Sequence, residues 1–222
     1  MWRKCPVTQL NVTMAWHIGE ICMGRMRQPT ASAMDELWRQ ALQDIKRGAE
    51  RVDCRSLGGD LTLDYTLLHI ACAFGNEDAV RQLLAAGANP SLADGCIGNT
   101  PMHFAVGGFM RWKALSSGAR LAVCKMLPQK DVATPNKYGD TPLMRAVSYN
   151  GDANVIQWAL QHPLCNVHAK NRSGRTALDR LRQAFVCHDQ KAMFKDMLAA
   201  EIAARARWTA LRAVWCGACA AV

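Results

Sequence analysis

Long apolar runs are missing from this chain of 222 residues. No stretch reaches the roughly 18 uninterrupted apolar residues that a membrane-spanning helix needs. The N-terminus, MWRKCPVTQLNVTMAWHIGEICMGRMRQ, has no clean apolar segment ending in a small-residue cleavage site, so a secretory signal is not expected. That segment is also poor in acid, with Glu20 alone before Asp35, and its Arg content makes a mitochondrial presequence a minor alternative to a cytoplasmic or nuclear address. Acidic residues are scarce throughout: 18 Asp and Glu stand against 27 Lys and Arg, a formal net charge of +9 that favours encounter with acidic partners. Long Lys/Arg runs are missing too, and the scattered basic residues argue against direct nucleic-acid recognition. Phosphate loops, nucleotide fingerprints and catalytic-triad patterns do not occur, so the common transferase, dinucleotide and hydrolase chemistries have no motif here.

What is present is a globular composition, 50% hydrophobic and 20% charged, in a length that suits one domain with or without tails. Ten cysteines would suit a disulfide framework in a small secreted protein. Here they are spread through the chain, and Cys72 and Cys124 fall inside apolar helical patterns, which fits buried free thiols in a reducing compartment.

The strongest signal is internal self-similarity. Tyr65-Thr66-Leu67-Leu68-His69-Ile70-Ala71-Cys72 is followed by Gly98-Asn99-Thr100-Pro101-Met102-His103-Phe104-Ala105, by Gly139-Asp140-Thr141-Pro142-Leu143-Met144-Arg145-Ala146, and by Gly174-Arg175-Thr176-Ala177-Leu178-Asp179. The four threonines recur at intervals of 34, 41 and 35 residues. Apolar second segments keep the same register: Val80, Leu83 and Leu84, then Val123, Met126 and Leu127, then Ile156, Ala159 and Leu160. Each Thr stands where it can cap a helix, and Pro101 and Pro142 occupy the first helical position, where a missing N–H costs nothing. Gly87 ends the second segment as a left-handed C-cap residue would.

A period of about 33 residues with Thr-Pro-Leu-His-x-Ala is the signature of the ankyrin family, which the chain resembles from about Met34 to about Ile202. The resemblance implies an all-α solenoid of four to five stacked helix–turn–helix units with short β-turn or hairpin projections. An N-terminal arm is expected over 1–33, the repeat domain over 34–202 and a Trp/Arg/Cys-containing tail over 203–222. Within the domain, 34–63 reads as a capping repeat carrying Leu37, Trp38, Ala41 and Ile45 at helical spacing. Full repeats start near 64, 95, 136 and 171, and the last acts as the C-terminal cap, with Met193, Phe194, Met197 and Leu198 on its second helix.

The second repeat is longer than the usual spacing by about seven residues. The surplus falls in 107–118, where Phe109 and Trp112 sit among Gly and Ser. These aromatics either fold back to patch a lengthened turn or form a partner-contacting finger.

Other motifs have competing readings. His162-x2-Cys165-x2-His168 has metal-ligand spacing, but a structural zinc site wants a fourth ligand, and the repeat register explains the segment as an inter-repeat turn. Cys216-x-x-Cys219 lacks the βαβ setting of a redox motif and reads as tail cysteines. For His69 and His103 the resemblance implies structural hydrogen bonds between turns, and no nucleophile–base–orienter set accompanies them that would make them general bases. Trp208, Leu211 and Trp215 form a stripe among Arg205, Arg207 and Arg212, suited to capping the open end of the stack, to disorder, or to an anionic membrane surface.

The resemblance implies a non-catalytic scaffold or adaptor that binds another protein through its concave face, without cofactor or metal. A membrane-surface adaptor using the tail, or an enzyme with an unrecognised site, is the alternative. Carrying over the family's contact positions gives Tyr65, Ala73 and Phe74; Ile97, Asn99, Gly107 and Gly108; Lys137, Tyr138, Asp140, Ser148 and Tyr149; and Arg172, Ser173 and Arg175. With Phe109 and Trp112 from the long loop, these aromatic and basic side chains suit a partner with an acidic surface. The protein itself is expected to be a monomer.

Overall fold

The computed structural model describes residues 65–107, 117–149, 152–184 and 188–219, together with Glu36, Trp38, Arg39, Leu42, Gln43, Val52 and Asp53. Among these residues the helices are α1 (Leu67–Phe74), α2 (Glu77–Ala85), α3 (Pro101–Gly107), α4 (Ser117–Met126), α5 (Pro142–Ser148), α6 (Ala153–Gln161), α7 (Ala177–Gln183) and α8 (His188–Cys219). A short 3₁₀ turn covers Gln129–Val132. No strand occurs among the described residues, and the fold is an all-α ankyrin solenoid.

The recurring threonines start the first helix of each unit. Thr66 holds an extended conformation, its side chain accepting the His69 N–H, while its own N–H donates to His69 Nδ1 at 3.1 Å. Ahead of α3 the Thr100 N–H likewise donates to His103 Nδ1 at 3.1 Å, and the His103 N–H donates to the Thr100 carbonyl. Thr141 caps α5 through the Met144 N–H. Ahead of α7, Asp179 takes the histidine's place and its carboxylate accepts the Thr176 N–H at 3.0 Å. These reciprocal caps satisfy donors that a helix start otherwise leaves orphaned. At the far end of α2, Gly87 has φ +89°, and the N–H groups of Gly87 and Ala88 return to the carbonyls of Leu84 and Leu83. This left-handed cap stops the helix and turns the chain.

The first helices α1, α3, α5 and α7 pack on one another in sequence to form one layer. The second helices α2, α4 and α6 and the start of α8 form the other. Between them lies a single apolar core running from Trp38 through Leu68, Ile70, Leu83, Phe104, Val123, Leu143 and Ile156 to Phe194 and Leu198. No unit could bury its own faces alone, so stability is shared between neighbours.

Two expectations about the ends of the domain are adjusted. Trp38 is buried in the core, whereas Leu37, Ala41 and Ile45 lie outside the described residues. Of the four residues assigned to the C-terminal cap, Phe194 and Leu198 are fully buried and Met197 is half-buried, but Met193 is 40% exposed. Residues four apart share a helical face, and the Phe194–Leu198 pair takes the one that meets the core. The boundary set at 202/203 is not a break in structure, because α8 continues through it to Cys219. Arg205 explains why: its Nη2 donates to the Leu160 carbonyl at 2.7 Å, its Nη1 to the Cys165 carbonyl, and its Nε pairs with Glu201 at 2.7 Å. The side chain thus fastens α8 to the carbonyl end of α6, where acceptors are left over and positive charge is favoured.

Candidate functional site: turn tips and inner helices

Between units the chain forms tight tips of common design. The first residue of each tip is Asp or Asn, and its side chain collects the N–H groups of the turn. Asp94 accepts from Ile97 (2.7 Å), Gly98 (2.9 Å) and Asn99 (3.1 Å). Asn136 accepts from Tyr138 and Asp140, and Asn171 from Ser173 and Arg175, at 2.9–3.0 Å. Short polar side chains that bond their own backbone in this way are what make such turns rigid. The closing pairs are Asp94 N–H to Asn99 O, Asn136 N–H to Asp140 O and Asn171 N–H to Arg175 O. The first tip is one residue longer, and Lys137 Nζ clamps the extra length by donating to the carbonyls of Gly95 (2.5 Å) and Cys96 (3.1 Å).

Successive tips are also joined to each other. The Lys137 N–H donates to Ile97 O and the Arg172 N–H to Tyr138 O, both at 2.9 Å. Side chains add Asn136 Nδ2 to Asn99 Oδ1 at 2.9 Å and Asn171 Nδ2 to Asp140 Oδ1 at 2.7 Å. Gly139 sits where this approach is closest: at φ +76°, a Cβ there would lie 2.9 Å from the Arg172 nitrogen.

The histidines tie the tips to the helices. His69 Nε2 lies 3.2 Å from the Asn99 carbonyl and His103 Nε2 3.1 Å from that of Asp140. Because each Nδ1 accepts a backbone N–H, each Nε2 must carry the proton and donate. Burial, opposed by the bond to Asp140 and reinforced by the charges of Arg145 and His69, lowers the His103 pKa to about 3. Both rings donate to the next tip, the structural role that the family resemblance implies.

The inner face carries a contiguous row of rings. Tyr65 meets Phe104 edge-on at 5.0 Å, and His69 meets the same ring at 5.2 Å. The Arg145 guanidinium carbon then lies 5.0 Å from the Phe104 centroid and 4.8 Å from that of Tyr149. Burial pushes the Arg145 pKa down, opposed by Tyr149, Tyr65, Asp94 and Asp140.

The residues carried over as contact positions divide into three groups. Tyr138, at 59% exposure, and Lys137, Arg172 and Arg175 are exposed on consecutive tips. Tyr65, Tyr149 and Asp140 are half-buried. Four assignments are corrected: Ala73, Phe74, Asn99 and Gly107 are buried and present no contact surface. Phe74 belongs to the core, and Asn99 is enclosed because its side chain serves the tip-to-tip ladder while its carbonyl serves His69. Asp140 is committed in the same way, to Asn171 and to Arg180 at 3.4 Å. Phe109 and Trp112 lie outside the described residues. Arg145 was missed, although its sequence signal was available: it stands four residues after Thr141, where the two preceding units carry the apolar Ile70 and Phe104.

The remaining motifs resolve as follows. Cys165 is buried in the core, His162 packs its ring 5.8 Å from that of Trp158, and His168 is exposed. Cys216 and Cys219 fall within the C-terminal part of α8, where side chains are outside the description. Trp208, on the same helix, is 69% exposed.

Paired helices stacked in register and ladder-linked tips define a helical-repeat fold. A family model described as "Ankyrin repeats (many copies)" matches residues 68–108, and one described as "Ankyrin repeat" matches residues 138–172. The chain is an ankyrin-repeat protein. Ankyrin repeats are generally protein–protein interaction modules, and the family is typically non-catalytic.

Proposed function

We propose that this protein is an adaptor or scaffold that binds a partner protein with an acidic surface through its tips and inner helices. The observation that carries this reading is the rim formed by Lys137, Tyr138, Arg172 and Arg175. These four side chains are exposed on two tips whose backbones are hydrogen-bonded to each other. A rigid backbone that presents an aromatic ring among cations gives an interface with little ordering cost on binding. The net charge of +9 favours encounter with acidic surfaces. A cytoplasmic, monomeric protein is the setting in which free thiols and such a surface work together.

The test is an affinity capture with mass spectrometry comparing wild type with a Tyr138→Ala/Arg172→Glu variant of verified fold. Prey that bind purified wild type directly and are lost in the variant support the reading. Retention of every direct prey overturns it and shifts attention to the C-terminal helix, whose exposed Trp208 and Arg207 favour the membrane-surface alternative. Liposome binding abolished by deletion after Ala204 would support that alternative.

A further inference from the structure

Ile70, Phe104, Arg145 and Arg180 each stand four residues after a capping threonine and form one column along the inner helices. Ile70 and Phe104 are fully buried, so the column changes from apolar to cationic midway. The Arg145 guanidinium lies over both the Phe104 and the Tyr149 ring, which restricts its rotamer freedom. The acids nearest in charge are already engaged. Asp94 accepts three backbone N–H groups, and Asp140 serves Asn171 and Arg180. Arg145 itself makes no ion pair with a described residue, and its Nε is enclosed without a hydrogen-bond partner among them. Asn99 Nδ2 and Arg180 Nε are in the same condition, so the three such buried atoms among the described residues are all donors. This face of the protein is short of acceptors.

We propose that Arg145 is the receptor for a carboxylate side chain on an acidic peptide segment of the partner. The exposed Lys137, Arg172 and Arg175 engage neighbouring acidic residues of that segment. A planar, stacked guanidinium matches the two oxygens of a carboxylate and is more weakly hydrated than an ammonium, so it loses less on binding. Nucleic acid is disfavoured as the occupant, because Asp94 and Asp140 beside Arg145 would repel a continuous row of phosphates. The inference rests on the partner-binding reading and deepens it by assigning the anchor residue and its ligand chemistry.

The probe is a fluorescein-labelled peptide of ten glutamates, with a ten-glutamine peptide and a single-stranded oligonucleotide of equal charge as comparisons. Binding to the full chain is followed by fluorescence anisotropy at low salt. The glutamate peptide is expected to bind wild type, and Arg145→Gln to weaken it by about tenfold or more, as loss of a desolvated charge-assisted contact does. Arg175→Gln, which removes the same charge from an exposed tip, is expected to cost about twofold. Arg145→Lys should resemble Arg145→Gln, since a lysine keeps the charge without the planar fork. Gly107→Ala tests position without charge: its Cβ would come 2.8 Å from Arg145 Cγ and displace it, weakening binding in a helix that alanine otherwise favours. Melting curves confirm that each variant is folded.

Equal losses for Arg145→Gln and Arg175→Gln overturn the proposal, because the attraction would then be general charge. Indifference of wild type to glutamate over glutamine overturns it as well. So does tighter, Arg145-dependent binding of the oligonucleotide. Should the peptide ignore Arg145 while a direct prey is still lost in Tyr138→Ala/Arg172→Glu, only the carboxylate assignment falls. The converse pattern removes the tip-centred reading and leaves the anchor standing.

Discussion

The Nε2 of His103 lies 3.1 Å from the carbonyl oxygen of Asp140, so a ring fixed by the cap of one helix holds the turn of the next repeat. The same carbonyl closes its own turn by accepting the Asn136 N–H. One oxygen therefore joins the internal geometry of a tip to the helix behind it.

The protonation of this ring makes stability depend on pH. Its pKa is about 3 when folded, against an ordinary value of 6.5, so between these limits the unfolded chain binds more protons. The contribution is complete above pH 6.5 and is lost as pH falls towards 3, by about 1.4 kcal/mol per pH unit. Urea unfolding of wild type should show a falling midpoint between pH 6.5 and 5, and His103→Gln should flatten that slope. Parallel slopes in the two proteins would contradict the assignment.

Gly139→Ala should destabilise by more than about 1 kcal/mol, combining a left-handed backbone with a Cβ pressed against the next tip. Gly87→Ala, at φ +89° but with open space around its Cβ, should cost less. Denaturant midpoints of the two variants check the order, and a reversed order would count against the close approach.

Arg205→Ala should release the C-terminal half of α8 from α6. Charge-assisted bonds of this kind contribute about 1.5–3 kcal/mol, and the variant loses donors to Leu160 and Cys165. Hydrogen exchange after Ile202 should accelerate while the cores of α1 and α3 stay protected. Unaltered exchange in α8 would show that another contact fastens it.

Thiol reactivity should separate sharply. Cys96 is exposed, whereas burial raises the pKa of Cys124 to about 12 and of Cys165 to about 11, and raises that of Cys72 well above its ordinary value. Since the thiolate is the nucleophile, alkylation of the native protein at pH 8 should mark Cys96 and spare Cys72, Cys124 and Cys165 until the chain is unfolded. Mass spectrometry of the labelled peptides reads the result directly.

The helix starts were legible because their causes are local. A Thr at the cap and a His or Asp three residues later determine a few bonds within one turn; Thr66, Thr100 and Thr176 bond the side chain at that position, and Thr141, facing Met144, caps through its side chain alone. Exposure was harder to read. Asn99 looks like a free tip residue until its partner Asn136, more than a full repeat later in the chain, is brought alongside. Phe74 looked like an inner-face contact until the stack enclosed it. Arg145 shows the opposite error: an arginine after two apolar residues of the column becomes intelligible only when it lies over the rings of Phe104 from the preceding unit and Tyr149 from its own. The continuation of α8 past 202 depends on Arg205 finding the end of α6, a contact that no local pattern announces.

The bonds between tips also give the array a direction, as a woven edge has a direction. Later tips donate backward through the amides of Lys137 and Arg172, while the imidazoles of His69 and His103 donate forward. From the third unit onward the forward tie is gone, because Met144 stands in the histidine's place, and Asp140 instead holds the fourth unit through Asn171 and Arg180. The units are therefore not interchangeable bricks. Transplanting the third into the place of the second would set Met144 where an imidazole is needed, and reordering the array would break its fastenings even with every repeat intact.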